Sequence, residues 1–131
     1  MYYQVKFILG LLLWGAVVSG CQNGGSDLPE VAPVRGVITM DNAPLSGATV
    51  IFYPENGRPS SGVANEKGEY VLSYTDSIAG AKLGRHTVSI TTAPIDEPAR
   101  ERVPAKFNTE TTLTAEIKPG QNEVNFNLES K

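Results

Sequence analysis

The stretch Gly36-Val-Ile-Thr-Met-Asp-Asn-Ala-Pro-Leu-Ser-Gly-Ala-Thr-Val-Ile-Phe-Tyr53 decides the fold. Apolar residues recur at every second position on both arms. Val34, Ile38 and Met40 share a face of the first arm, and Ala48, Val50 and Phe52 share a face of the second. A period of two marks a strand half buried against a core. Between the arms, Asp41-Asn42-Ala43-Pro44 reads as a turn joining the two strands, because Asp and Asn tolerate left-handed backbone and bond their own main chain.

Working outward from this stretch, the same period returns in short pieces. Residues 61–64 read as a weak strand, followed by the turn Asn65-Glu-Lys-Gly68. Residues 69–74 place Tyr70, Leu72 and Tyr74 on one face, and residues 85–92 place Val88 and Ile90 inward with Thr87, Ser89 and Thr91 outward. Residues 111–117 point Leu113, Ala115 and Ile117 inward; after the turn 118–121, residues 122–128 do the same with Val124, Phe126 and Leu128. Seven short strands separated by turns predict an all-β fold, a seven-stranded antiparallel β-sandwich over 34–131. No stretch in that range carries a helical period.

Composition agrees. The chain has 131 residues, 13 Gly and 9 Pro, room for one domain rich in turns. Eleven basic against fourteen acidic residues leave no basic field to attract nucleic acid. One cysteine excludes an internal disulfide, and a core of this size needs neither a bridge nor a metal.

Upstream of the module the pattern changes. Lys6 precedes an apolar run from Phe7 to Val18, about a dozen residues, too short for the ~30 Å hydrocarbon core of a bilayer and of the length of a secretory signal peptide. The run ends in Val18-Ser19-Gly20-Cys21, which resembles the bacterial lipobox: an apolar residue, two small residues and the invariant cysteine. The resemblance implies a helical signal peptide over 1–20, cleavage between Gly20 and Cys21, diacylation of the Cys21 sulfur and acylation of its new amino group with palmitate-type chains. Cleavage removes Lys6 and moves the net charge from −3 to −4. Gln22, rather than Asp, follows the cysteine; by resemblance to the sorting rules of two-membrane bacteria this favours the outer membrane. Residues 21–33, rich in Gly, Ser and Pro, read as a flexible tether with a reach of about 20 Å.

Several residues carry a family resemblance. Gly36 and Val37, then Pro44, Leu45, Gly47, Ala48 and Val50, then Gly68, Tyr70 and Leu72, then Gly84, His86, Val88 and Ile90 resemble the carboxypeptidase regulatory-like domain. That resemblance implies a transthyretin-like (prealbumin-like, Ig-like) sandwich. The ending, from Val103-Pro-Ala-Lys-Phe-Asn108 to Phe126 and Leu128, looks like the tail of small bacterial lipoproteins of the planctomycete type that carry this domain alone. Asn42 stands where the family usually has Gly, and Ala64-Asn65 where it has Thr-Asp; both still allow turns.

Chemistry-bearing residues are few. His86 is the one histidine, against the several ligands a zinc site wants, and no local signature pairs it with a nucleophile and an orienting acid. Its place suggests a strand-start residue over the sandwich edge. Transthyretin-like hydrolases of purine breakdown use several histidines and a C-terminal tetrapeptide ending in Ser; the ending Leu128-Glu-Ser-Lys131 does not match. The turn acids are too scattered for calcium.

The expectation is therefore a non-catalytic module with no cofactor, no metal and no evident small-molecule substrate. It would be held to the membrane by its lipid and face an envelope protein or a glycan. The alternative is a hydrolase, or an accessory domain of one, with a site near His86. Long loops are where such surfaces sit, and the longest is 93–110. Arg100, Arg102, Lys106 and Phe107 are its candidate partner surface; the packing alternative, which we favour, has Phe107 close one end of the core and Asn108 cap the next turn. Glycans usually meet exposed aromatic platforms, and the one Trp, Trp14, lies in the leader.

Overall fold

A computed structural model describes residues 30–94 and 96–131. The expected leader, Cys21 with its cleavage site, and residues 21–29 of the expected tether lie outside them. In chain order the strands are β1 (Val31–Ala32), β2 (Val34–Met40), β3 (Ala43–Pro44), β4 (Thr49–Pro54), β5 (Ser60–Val63), β6 (Glu69–Val71) and β7 (Ser73–Thr75). They continue with β8 (Ile78–Ala79), β9 (Ala81–Lys82), β10 (Gly84–Thr91), β11 (Thr114–Ile117), β12 (Asn122–Glu123) and β13 (Phe126–Leu128).

Two sheets face each other. The larger runs β11-β10-β4-β5-β7-β8, and the smaller is built on β2, with β12 and β13 along one edge and β3 and β6 along the other. The inward residues are those that the period of two selects: Ile38, Val50, Phe52, Leu72, Val88 and Ile90 are wholly buried. Phe52 of the larger sheet meets Phe126 of the smaller edge-on, 6.1 Å between ring centroids, the arrangement that the ring quadrupoles favour. Burying a side chain of this kind contributes roughly 1.5–3 kcal/mol. The all-β sandwich expected from the sequence is the observed architecture.

The expected strand plan needs four corrections. The fold has thirteen strands among the described residues rather than seven: 69–74 breaks where it changes sheet, 122–128 breaks along β2, and the short β1, β3, β8 and β9 lie in segments read as tether, turn or loop. The two arms of 36–53 do not pair with each other. Asp41 and Asn42, both at positive φ (52° and 67°), do make the tight turn, but it returns through the short β3 beside β2 before the chain crosses to β4. Residues 69–74 likewise split at Leu72: β6 pairs with β2, and β7 with β5 in the opposite sheet. An inward-facing alternation survives such a crossing, since inward stays inward. Finally, the sheets are not wholly antiparallel, as β12 and β13 run parallel to β2.

The parallel edge has a local cost that the sequence meets in two ways. Between β12 and β13 the ladder skips, and the Asn125 side-chain oxygen accepts the Val37 N–H at 2.8 Å where a backbone carbonyl would otherwise serve. Val124 N donates to Arg35 O, which presses the Val124 carbonyl onto Gly36. The Tyr70 hydroxyl donates to that same carbonyl from within the core, and burial pushes its phenol pKa up.

The tether is also shorter than expected. Val31–Ala32 pair with Lys82 and Ala81 of β9, Ala32 is buried, and Leu83 N donates to Glu30 O. A strand with an apolar residue to bury does not stay a linker.

Candidate functional site

His86 lies inside the sandwich and not over its edge. It is an inward residue of β10, 1% exposed, with its ring 5.7 Å from that of Phe52. Its Nε2 sits 2.7 Å from the Lys82 carbonyl, an acceptor only, so Nε2 carries the proton. Nδ1 has no hydrogen-bond partner among the described residues. Solvent does not reach the ring, and a general base must touch the proton it takes. Among the described residues no three His, Cys, Asp or Glu side chains group as metal ligands.

The 93–110 loop is the more informative region. It contains two 3-10 turns, Pro98–Arg100 and Ala105–Phe107, and is fastened by two polar side chains. Glu101 is the first fastening. Its Oε1 accepts from Thr92 N (2.7 Å), Thr92 Oγ1 (2.6 Å) and Val103 N (3.1 Å), and its Oε2 from Ala93 N (3.3 Å). Asn108 is the second, donating through Nδ2 to the carbonyls of Ile90, Val103 and Pro104. Burial alone pushes Glu101 up, but the hydrogen bonds from Thr92, Val103 and Ala93 win and hold its carboxyl below the usual 4.5.

Each of the four predicted surface residues has its own contacts. Arg100 pairs with Glu97 at 2.7 Å and stays 74% exposed. Arg102 reaches the Ser46 carbonyl, and Lys106 the Lys131 carbonyl while its ammonium lies 5.0 Å from the centre of the Phe107 ring. Phe107 is half-buried against the core and Asn108 caps the loop, as the packing alternative has it.

What the loop does build is a groove. The outer faces of β4 and β10 form the floor, where Ile51 lies opposite Ser89 and Thr91 follows along β10. Pro94, Pro98 and Tyr53, the last 44% exposed, line it as well. The groove is open to solvent and has a volume of about 480 Å³. Sequence reasoning missed Glu101, whose neighbours Arg100 and Arg102 make it look like part of a solvated charge run. Tyr53 was within reach: with Phe52 inward, the period of two puts it outward on β4.

The groove and the point of chain entry lie at opposite ends of β10. Glu30 meets Leu83, just before the strand begins at Gly84, whereas Thr91 at its far end lines the groove. Seven strand steps separate the two, about 23 Å.

Glu101→Gln should loosen this end of the molecule. An amide presents one acceptor oxygen and turns its NH2 toward the Ala93 N–H, so we expect a loss of about 1–2 kcal/mol in urea unfolding. Amide exchange should quicken over residues 92–103 but not in β2. Protonation acts through the same carboxylate. Because its native pKa is depressed, its contribution is complete above about pH 4.5 and fades as the pH falls through the lowered native value.

No family model matches the chain, and its sequence matches no curated protein. Among solved structures it is similar to a DUF3823 family protein from Parabacteroides merdae, with a TM-score of 0.48 and 17% sequence identity. The match covers 76% of this chain and 46% of that one, so the chain spans less than half of that protein's length.

Proposed function

We propose that this chain is a lipid-anchored module of the cell envelope, fixed to a membrane through Cys21 and non-catalytic, with a β-sandwich of the carboxypeptidase regulatory-like type. One observation carries the reading: the chain's single cysteine stands immediately after an apolar leader and two small residues. Two acyl chains on its sulfur, with a third on the amino group, hold stably where one chain alone is marginal. The family-type glycines favour the sandwich assignment, since Gly68 takes the positive φ (77°) of its turn and Gly36 a close approach of two strands.

The separation of chain entry from the groove supports display. A tether entering at Glu30 leaves the 93–110 end on the far side from the lipid, open to an envelope protein or a glycan. The outer membrane is the favoured site by the residue after the cysteine, Gln22. A hydrolase centred on His86 draws no support from a ring that is buried and committed to the Lys82 carbonyl.

Detergent phase partition of the native chain tests the anchor. The protein is expected in the detergent-rich phase and to resist alkaline extraction from membranes; recovery in the aqueous phase would contradict it.

A further inference from the structure

We propose that the groove beneath the 93–110 loop binds one ring of a neutral glycan, with Tyr53 as the stacking platform and a floor of hydroxyls beside it. This deepens the reading of a displayed binding module and rests on it for access to a polymer outside the membrane.

A pyranose ring has two chemistries. Its C–H face is apolar, and its rim is a ring of hydroxyls that both donate and accept. A matching site pairs an exposed aromatic face with neutral hydrogen-bonding groups around it, which is how an amphipathic ring such as Tyr serves at wet interfaces. Tyr53 supplies the face, held on a central strand between β5 and β10 and therefore without backbone freedom to lose. Ile51, Pro94 and Pro98 extend the apolar surface, and a volume of about 480 Å³ is of the size of ordinary ligand sites.

The polar lining narrows the ligand class. Glu101 and Asn108 also line the groove, but both are spent on the loop's own backbone. The groups left to meet a ligand are the hydroxyls of Tyr53, Ser89, Thr91 and Thr109, which suit a polyol. Among the described residues no Lys, Arg or His lines the groove, and Glu101 is an anion there. Phosphate, sulfate and uronic acids would enter without a counter-charge and against a like one. An extended proline-rich peptide would find the apolar strip, yet it would leave the floor hydroxyls facing its own apolar rings. The expected basic surface of Arg100, Arg102 and Lys106 takes no part in the lining.

The test is an NMR titration of the isotope-labelled full chain in a non-glycosidic detergent. The probes are maltohexaose, cellohexaose, hexagalacturonate and decaproline. At least one neutral hexaose should shift the amides of Tyr53, Ser89, Thr91 and Ala93, saturating at about millimolar concentration. Tyr53→Ala should weaken that binding at least ~10-fold, and Tyr53→Phe, which keeps the ring, should retain most of it. Both variants change a surface side chain, so dispersed spectra will show the sandwich intact. The proposal is overturned by groove amides that stay still with both neutral hexaoses to about 10 mM, or by equal affinity in Tyr53→Ala. Tighter binding of hexagalacturonate or decaproline also overturns it. The lipid plays no part in the titration, so a negative result here and a failure of the anchor are separately visible.

Discussion

Gly36→Val is expected to leave the module unfolded or nearly so at growth temperature. A Cβ at position 36 would sit 1.7 Å from the Val124 carbonyl oxygen and 2.9 Å from Cε1 of Tyr70. The first neighbour is backbone, fixed by Val124 N donating to Arg35 O; the second is a wholly packed ring whose hydroxyl holds the same carbonyl. Neither can give without opening the parallel edge of the smaller sheet and the aromatic cluster beneath it. Overpacking at one methylene costs about 1–3 kcal/mol, and here a lost ladder and an orphaned tyrosine hydroxyl are added, so about 4 kcal/mol or more is expected. Small domains hold only about 5–15 kcal/mol in total. For a domain of this size the midpoint should fall by at least ~15 °C, measured by thermal circular dichroism against the parent. A fall of a few degrees would mean that β12 and β13 are not seated on β2 as described.

Cys21→Ser is expected to move the protein from the membrane to the soluble fraction almost completely. Serine keeps the size and the small-residue approach to the cleavage point but offers no thiolate to carry the lipid. With ~0.8 kcal/mol per buried methylene, removing every acyl chain removes the whole hydrophobic attachment. A net charge of −4 after cleavage gives no electrostatic substitute on an anionic surface. The sandwich should be untouched, since the described module begins its pairing at Val31. Fractionation with an unchanged melting curve is the check; a variant that stays with the membrane would mean that something other than Cys21 holds it.

Why the sequence disclosed some features and hid others follows from what each signal encodes. Inward and outward positions were legible along the strands, His86 apart, because burial on one face imposes a period of two whatever the partner strand. Tyr70, Leu72 and Tyr74 kept that period across a sheet change, so the alternation read as one strand and the corner at Leu72 was invisible. Pairing direction is carried by backbone hydrogen bonds and leaves no mark on side-chain order, which is why β12 and β13 looked antiparallel. The Asp41–Asn42 turn was readable from residue chemistry, but its return partner was not, because β3 is only Ala43–Pro44 and has no period of its own.

The site was less legible than the fold. Four charged or aromatic residues of the 93–110 loop invite a surface reading, and the sequence does not show that Lys106 lies over the Phe107 ring or that Arg100 pairs with Glu97. Glu101 looked like one more solvated charge; its role depends on where Thr92 and Ala93 end β10, a tertiary fact. Tyr53 carried a usable signal, an aromatic ring at an outward strand position, but that Pro94 and Pro98 line the same groove is a tertiary fact.

The anchor is the claim on which the rest hangs, and intact-mass and N-terminal peptide spectrometry of the protein taken from its own membranes addresses it most directly. The expected polypeptide has Cys21 as its first residue, bearing a diacylglyceryl group on sulfur and a fatty acyl group on nitrogen. A chain that still begins at Met1, or a Cys21 with a free thiol, would contradict it.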